Sequence, residues 1–193
     1  MEFIKKLFKT LKSEKGFTLI ELLVVIGVLG ILATGLLATI DPLEQFRKGA
    51  DTNRKTTALE LGNALTRYYS VHNVFPWASG PNGGADCNGG VAPSATRVSN
   101  VTADSGFSTC LDTLTTEGEL KSTFKSQYSI LNKLYATDTT PVGSTSTSVA
   151  ICFDPDSKSE STRPETIYTQ VAVDDSARCA VTPKPSDCYW CAR

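Results

Sequence analysis

A single carboxylic acid, Glu21, lies inside the most apolar stretch of this 193-residue chain. Residues 17–40, FTLIELLVVIGVLGILATGLLATI, contain no other charged side chain. An acid inside an apolar helix costs about 1–3 kcal/mol, and such a group usually has a cationic partner. The nearest basic residues in the sequence are Lys15 and Arg47, both outside this stretch. Cleavage after Gly16 would supply a cation, because the new α-amino group of Phe17 lies one helical turn before Glu21.

Six cysteines are the second set of residues that could do chemistry. Redox activity is disfavoured because the motif Cys188-Tyr-Trp-Cys191 lies at the end of the chain, without a following helix to lower a thiol pKa. A zinc ribbon needs a second close pair of cysteines, and haem attachment needs a His where Ala192 stands. Structural disulfides are therefore expected, with Cys87–Cys110 as the favoured pair because both residues flank one loop. The six candidates are Cys87, Cys110, Cys152, Cys179, Cys188 and Cys191.

Four aspartates offer oxygen atoms that could bind calcium, and we weigh this against solvated acids in turns. The candidates are Asp154, Asp156, Asp174 and Asp175. Solvated turn acids are the favoured interpretation, so we expect no cofactor and keep calcium only as a weak candidate. The one histidine, His72, falls near the predicted end of a helix and is expected at the surface, without a catalytic role.

The charge is strongly segregated along the chain. The 19 Lys and Arg and 20 Asp and Glu give a net charge of −1, but residues 1–16 carry five Lys and only two acids. The remainder is acidic, so no basic field favours a nucleic acid as a direct partner. One His and the lack of a catalytic signature also argue against an enzyme.

The apolar stretch is long enough to cross a membrane. Its 24 residues would span about 36 Å as a helix, against about 30 Å for a bilayer core. The lysines before it should keep the leader cytoplasmic and place everything after about Asp41 outside. A cleaved secretory signal is disfavoured because the stretch is longer than usual and lacks a clear small-x-small cleavage site. An uncleaved signal anchor remains an alternative on these grounds alone.

The segment from Lys15 to Val25, KGFTLIELLVV, closely resembles the processing site of type IV prepilins and of type II secretion pseudopilins. This resemblance implies that a membrane prepilin peptidase cuts after Gly16 and methylates the new amino terminus at Phe17. It also implies that Glu21 pairs with an amino terminus during assembly. The expected function is a structural subunit of a type IV pilus-like filament. Alternatives are a pseudopilin of a secretion or DNA-uptake machine, and a membrane-anchored extracellular binding domain.

The same resemblance implies partners and location. The partners would be copies of this chain and related pilins in a helical filament, the peptidase, an assembly ATPase and a platform protein. The chain would span the inner membrane once before assembly and then enter an extracellular filament. On the apolar helix, small residues fall on one face, which favours close helix packing. They are Gly27, Gly30, Thr34 and Ala38.

The elements that follow predict an α+β head with a pilin-like plan: a long amino-terminal helix, half transmembrane and half head spine, on a small antiparallel sheet. Pro42 should break the helix, which then resumes until about residues 71–73. Its apolar stripe is Ala58, Leu61, Leu65 and Tyr68, with Arg47, Lys48, Arg54 and Lys55 predicted on a solvated face. The predicted segments are a leader at 1–16, a transmembrane helix at 17–40, its amphipathic continuation at 41–75 and a disulfide-containing head at 76–193.

Within the head, we predict loops and short elements from local patterns. Glycine-rich residues 79–106 indicate a loop, and Asn100-Val-Thr102 matches a glycosylation sequon by pattern alone. Short helices are expected at 108–114 and 119–134, followed by a Ser/Thr-rich connector at 137–148. Strands are expected at 149–153, 166–173 and 179–182.

Overall fold

The computed structural model describes residues 16–39, 41–78, 87–98, 107–140, 147–181, 185 and 187–193. It divides the chain into two compact units, with the boundary between Pro42 and Leu43. An apolar helix, further helices and a four-stranded antiparallel sheet confirm the α+β class. The predicted leader up to residue 15 and the predicted sequon lie outside the described residues.

Helix α1 spans Leu19–Thr39 and is almost entirely apolar, with Glu21 as its one charged residue. Thr18 caps its first turn, because its carbonyl oxygen accepts the amide N–H of Glu21 at 3.1 Å and that of Leu22 at 3.2 Å. The window Leu19–Leu36 has a mean hydropathy of 2.5, and none of it is buried within the chain. By length and composition, α1 is the one helix in the described part of the chain that could span a membrane.

Helix α2 spans Pro42–His72, and Asp41 before it is not helical. Proline suits the first helical position, since its missing N–H would have no partner there. The helix ends where Asn73 adopts φ 56° and its amide donates to the Tyr69 carbonyl at 2.7 Å. The structure thus breaks the helix next to Pro42 and ends it at the predicted place.

The head's sheet has four antiparallel strands in the order β1-β2-β3-β4. The strands are β1 Thr96–Arg97, β2 Leu134–Asp138, β3 Val149–Phe153 and β4 Trp190–Ala192. Alternate residues of three strands face α2 and join its predicted stripe in one buried core. The strand residues in that core are Leu134, Ala136, Ile151, Phe153, Trp190 and Ala192, and the stripe residues are Ala58, Leu61, Leu65 and Tyr68.

Short helices fill the connections of the head. They are α3 Phe107–Thr116, α4 Tyr128–Leu131, α5 Lys158–Ser161 and α6 Ser176–Cys179, with 3-10 turns at Cys87–Gly90 and Ser122–Ser126. Helix α3 agrees with the helix expected at 108–114. The helix expected at 119–134 is wrong in extent, because this stretch forms a 3-10 turn and one turn of α-helix before β2 begins.

Of the three predicted strands, only 149–153 is correct. The stretch 166–173 is a turn, in which the Thr169 amide donates to the Val173 carbonyl and Ala172 has φ 56°. Only Tyr168 in that stretch makes bridges, one with Asp174 and one with Tyr189. The apolar alternation there reflects a turn packed on the sheet rather than an added strand.

The prediction at 179–182 is also wrong, because Cys179 ends α6 and Val181 lies in a bend. Two real strands were missed. β2 runs through the end of the predicted helix into the predicted connector, and β4 contains Cys191 close to the chain end. The predicted loop at 79–106 holds β1 in its described part, while residues 79–86 and 99–106 lie outside the description.

Candidate processing and assembly site

Gly16, Phe17 and Thr18 precede α1 as exposed, non-helical residues. The Phe17 side chain is 77% exposed, which is unusual for an aromatic ring within a folded chain. A Cβ atom added at Gly16 would meet no other atom within 4 Å. The fold of this chain therefore does not itself require glycine at position 16.

Glu21 lies in the first turn of α1 and is exposed. Thr18 and Glu21 have the spacing of a capping box, and the Thr18 Oγ1 accepts the Glu21 amide at 3.3 Å. A carboxylate is favourable near a helix amino terminus, where the helix dipole is positive. Within the described part of the chain, no Lys or Arg side chain forms an ion pair with Glu21.

The small residues of α1 leave an open surface along the helix. A Cβ at Gly27 or Gly30 would contact nothing within 4 Å, so neither glycine is required by packing inside this chain. The Thr34 hydroxyl donates to the Ile31 carbonyl at 2.8 Å, which satisfies it within the helix. The side chain of Ala38 lies outside the described part. A face of this kind permits another helix to approach closely.

Farther along α2, the prediction of a solvated charge cluster is wrong for Arg54. This residue is only 7% exposed, and its guanidinium lies 2.8 Å from Asp51 Oδ1 and 2.5 Å from Asp156 Oδ2. Asp51 is buried and also accepts the amides of Asp156 at 3.1 Å and Ser157 at 2.8 Å. A buried carboxylate needs both a cation and hydrogen-bond donors, and Asp51 has both. These contacts connect α2 to the turn after β3.

The other three basic residues of that cluster agree better with the predicted solvated face of α2. Arg47 and Lys48 are exposed. Lys55 places its ammonium group 4.8 Å from the ring centroid of Trp190, a cation–π contact. Sequence reasoning missed the role of Asp51, although its position seven residues before Ala58 continues the buried stripe.

Three of the four candidate calcium ligands make other contacts in the head. Asp156 pairs with Arg54, and Asp175 pairs with Arg178. Asp174 Oδ1 accepts the Ser176 amide at 2.9 Å. Partial burial raises the pKa of Asp154 to about 6, assisted by the negative charge of Asp156. Among the described residues, no group of three or more His, Cys, Asp or Glu side chains is placed to hold a metal ion.

All six cysteines of the chain are in disulfides. The pairs are Cys87–Cys110, Cys152–Cys191 and Cys179–Cys188. The first is the pair that the sequence favoured. Cys188 and Cys191 bond to different partners, so the C-x-x-C motif works as two separate structural cross-links.

His72 is the last residue of α2 and contacts Tyr68 one turn earlier. Its ring stacks on Tyr68 with centroids 4.0 Å apart, and its Nδ1 lies 3.1 Å from the Tyr68 carbonyl oxygen. Burial raises the pKa of Tyr68, and the nearby Glu117 carboxylate adds to this effect. These contacts assign His72 to the helix end rather than to a reactive cluster.

Comparison with known families decides what the amino-terminal site is. The family model described as the prokaryotic N-terminal methylation motif matches residues 11–37. The chain carries the motif of prepilins. No curated protein and no solved structure gives a significant match.

The match in this prepilin-like chain covers Gly16, Phe17, Glu21 and most of α1. It therefore supports a type IV pilin-like or pseudopilin precursor, a class of structural proteins anchored in the membrane before assembly. Helix α2 and the head lie beyond the matched residues, so their detailed roles must be argued from their own contacts.

Proposed function

We propose that this chain is a structural subunit of a type IV pilus-like filament. In this proposal, prepilin peptidase cleaves after Gly16 and methylates the amino terminus of Phe17, and α1 then assembles with copies in the filament core. The observation that carries the proposal is the methylation motif at residues 11–37, which begins before the cleavage site and continues into an unburied apolar helix.

The local structure supports processing at this position. Gly16 and Phe17 are exposed and non-helical, as a peptide bond must be to enter a protease site. Packing in the described part of the chain does not call for glycine at position 16. In this proposal, the glycine suits a processing enzyme that accepts no larger side chain there.

The surface of α1 supports assembly through this helix. Its apolar side chains find no cover within the chain, so the membrane covers them first and neighbouring helices cover them in the filament. Glu21 would then pair with the methylated amino group of a neighbouring subunit. Such a pair in an apolar core is strongly favoured, because each unpaired charge there is costly.

The proposal implies the partners expected from the motif: copies of this chain or related pilins, the peptidase, an assembly ATPase and a platform protein. The head then lies outside the inner membrane, where its three disulfides can form. Nothing in the head is assigned a catalytic role.

Substitution of Glu21 tests the assembly step. We expect Glu21→Ala to be cleaved and methylated normally but to be lost from filaments, because the amino-terminal cation has no carboxylate to meet. The matched control is Glu60→Ala, which removes an exposed carboxylate from α2. The measurements are the mass of the mature amino terminus and the amount of chain in sheared filaments.

Wild-type filament incorporation of Glu21→Ala would contradict the pairing. Electron microscopy of the same cells distinguishes a pilus from a pseudopilus, because a pilus forms long surface filaments and a pseudopilus forms only a short piston. A processed chain that stays monomeric in the membrane would instead favour an anchored binding domain.

A further inference from the structure

The apolar stripe of α2 continues toward the amino terminus beyond the part that the head covers. From Asp51 to Tyr68, this face of the helix is buried against the head. Two turns earlier, the same face carries Leu43, which is 57% exposed, and Phe46, which is 76% exposed. At helical spacing, Leu43, Phe46 and Ala50 lead directly into Arg54 and Ala58. The apolar stripe is therefore longer than the part of α2 that the described residues of the head bury.

The head's contact at this end of α2 falls on a neighbouring face of the helix. Glu44 Oε1 accepts the amide of Ser159 at 3.1 Å. Leu43 and Phe46 remain largely exposed beside this contact. Arg47 follows immediately and is also exposed. At 3.6 residues per turn, Arg47 lies about 40° from Leu43 around the helix, whereas Lys48 lies on the far side with Gln45. Two large apolar side chains and one cation thus share one exposed face.

Chain length keeps this segment close to the membrane surface. Leu43 follows the last residue of α1, Thr39, by only four residues. A fully extended chain covers at most about 3.6 Å per residue, so Leu43 lies within about 15 Å of the end of α1. The headgroup region of a bilayer adds about 5–8 Å on each side of the hydrocarbon core. The segment is therefore within reach of the headgroup layer.

We propose that Leu43, Phe46 and Arg47 form a juxtamembrane patch that rests on the outer leaflet before assembly. Leu43 and Phe46 enter the boundary between headgroups and acyl chains, and Arg47 meets lipid phosphates. This division of apolar and basic side chains is the one that interfacial helices use. The inference rests on the membrane anchoring in the proposed function.

A lipid surface fits this patch better than a second copy of the chain. Arg47 next to the apolar pair matches anionic headgroups, whereas a copy of the patch would bring two arginines together. Release of the patch from lipid would then accompany extraction of the subunit from the membrane. The experiment must distinguish a patch that lies on lipid from a patch that a neighbouring subunit covers.

Tryptophan quenching in vesicles tests the inference on the full chain. Three variants are compared with the wild type, whose Trp77 and Trp190 are buried and give a constant background. Phe46→Trp reports on the patch, and Gln45→Trp is the matched control on another face of the same turn. Ile31→Trp reports on α1 within the bilayer. The vesicles contain phosphatidylcholine brominated near the top of the acyl chains for the two α2 variants and deep in the acyl chains for Ile31→Trp, with or without phosphatidylglycerol.

We expect strong quenching for Phe46→Trp and Ile31→Trp and much weaker quenching for Gln45→Trp. Adding Arg47→Glu to Phe46→Trp should lower the ratio of lipid-bound to free patch by about fivefold or more in phosphatidylglycerol vesicles.

Each other result has one meaning. If Ile31→Trp is quenched while Phe46→Trp matches Gln45→Trp, the patch does not lie on lipid and the inference is wrong, although the anchor stands. If Phe46→Trp is shielded from water but not quenched by bromine, a second copy covers it and the inference is again wrong. If Ile31→Trp escapes quenching, membrane anchoring itself fails. Quenching that is unchanged by the charge reversal contradicts the role of Arg47.

Discussion

At the scale of single residues, the buried pairing of Arg54 carries the clearest consequence for stability. Its guanidinium is the cation for Asp51, which is 1% exposed. Removing one partner of a buried ion pair leaves an uncompensated charge, which is far costlier than losing a surface pair. The pair Arg67–Glu119 has a side-chain exposure of 54% at the arginine and provides the comparison.

We therefore expect Arg54→Met to lower the free energy of unfolding of the head by about 3 kcal/mol. The matched substitution Arg67→Met should cost about 1 kcal/mol or less. Urea denaturation of the full chain in detergent, followed by tryptophan fluorescence, measures both. Equal losses for the two variants would show that Asp51 does not depend on Arg54.

A second residue-scale prediction concerns Asp154, whose pKa is raised to about 6 in the folded head. The folded state binds its proton more tightly than the unfolded chain does, so stability falls as pH rises from about 4 to about 6. Above pH 6, the ionised carboxylate opposes folding. Asp154→Asn should therefore stabilise the head at pH 7.5 by up to about 1 kcal/mol, since solvent screens this exposed group.

The same variant should be neutral or slightly destabilising at pH 3.5, where Asp154 carries its proton in both states. Denaturant midpoints of wild type and Asp154→Asn at the two pH values provide the measurement. A stabilisation that is the same at both pH values would contradict the raised pKa.

At the scale of elements, helices and strands differ in how far they follow from the sequence. The stripe Ala58, Leu61, Leu65 and Tyr68 predicts the buried face of α2, because helical periodicity is local. Strands β2 and β4 were missed because each depends on pairing with another strand, which a local residue pattern does not show. β4 has three residues and pairs with β3 through Ile151, Cys152 and Phe153.

The apolar alternation at 166–173 predicted a strand that does not form, because tertiary contacts decide the conformation there as well. Ile167, Val171 and Val173 alternate like a strand, but Ala172 has a positive φ and turns the chain back on itself. Such a conformation is uncommon for alanine and is held by tertiary contacts, including the burial of Ala172 against the sheet. Composition could not reveal it.

The disulfides, too, could be predicted only in part from the sequence. Their existence follows from six cysteines in an exported head, and Cys87–Cys110 follows from loop position. The pairing of Cys152 with Cys191 follows only from strand register, since these residues lie directly opposite in β3 and β4. Asp51 and Asp156 likewise meet only after folding, 105 residues apart in sequence.

The two carboxyl-terminal cross-links should differ in their contribution to stability. Cys152–Cys191 closes a separation of 39 residues, and Cys179–Cys188 closes one of 9. The longer loop loses more entropy in the unfolded chain, so replacing its two cysteines with alanine should cost about 1 kcal/mol more than the same change in the shorter loop. Denaturation of the two double variants measures the difference, and the reverse order would contradict it.

At the scale of the whole molecule, the net charge of −1 combines two unlike parts. In the proposed function, the basic leader and the single apolar-segment acid serve membrane insertion and assembly, whereas the disulfides and the buried Asp51–Arg54–Asp156 cluster stabilise the head. The methylation motif joins these parts into one account, in which the leader is removed and the remaining chain is built into a filament.

The mass of the mature amino terminus tests this account most directly. The chain is expressed with a prepilin peptidase, extracted from the membrane and analysed by peptide mass spectrometry, with Gly16→Leu as the control that should block cleavage. The account predicts a first residue of N-methylated Phe17 in the wild type. A wild-type chain that still begins at Met1, or that begins at an unmethylated residue beyond Glu21, would contradict it.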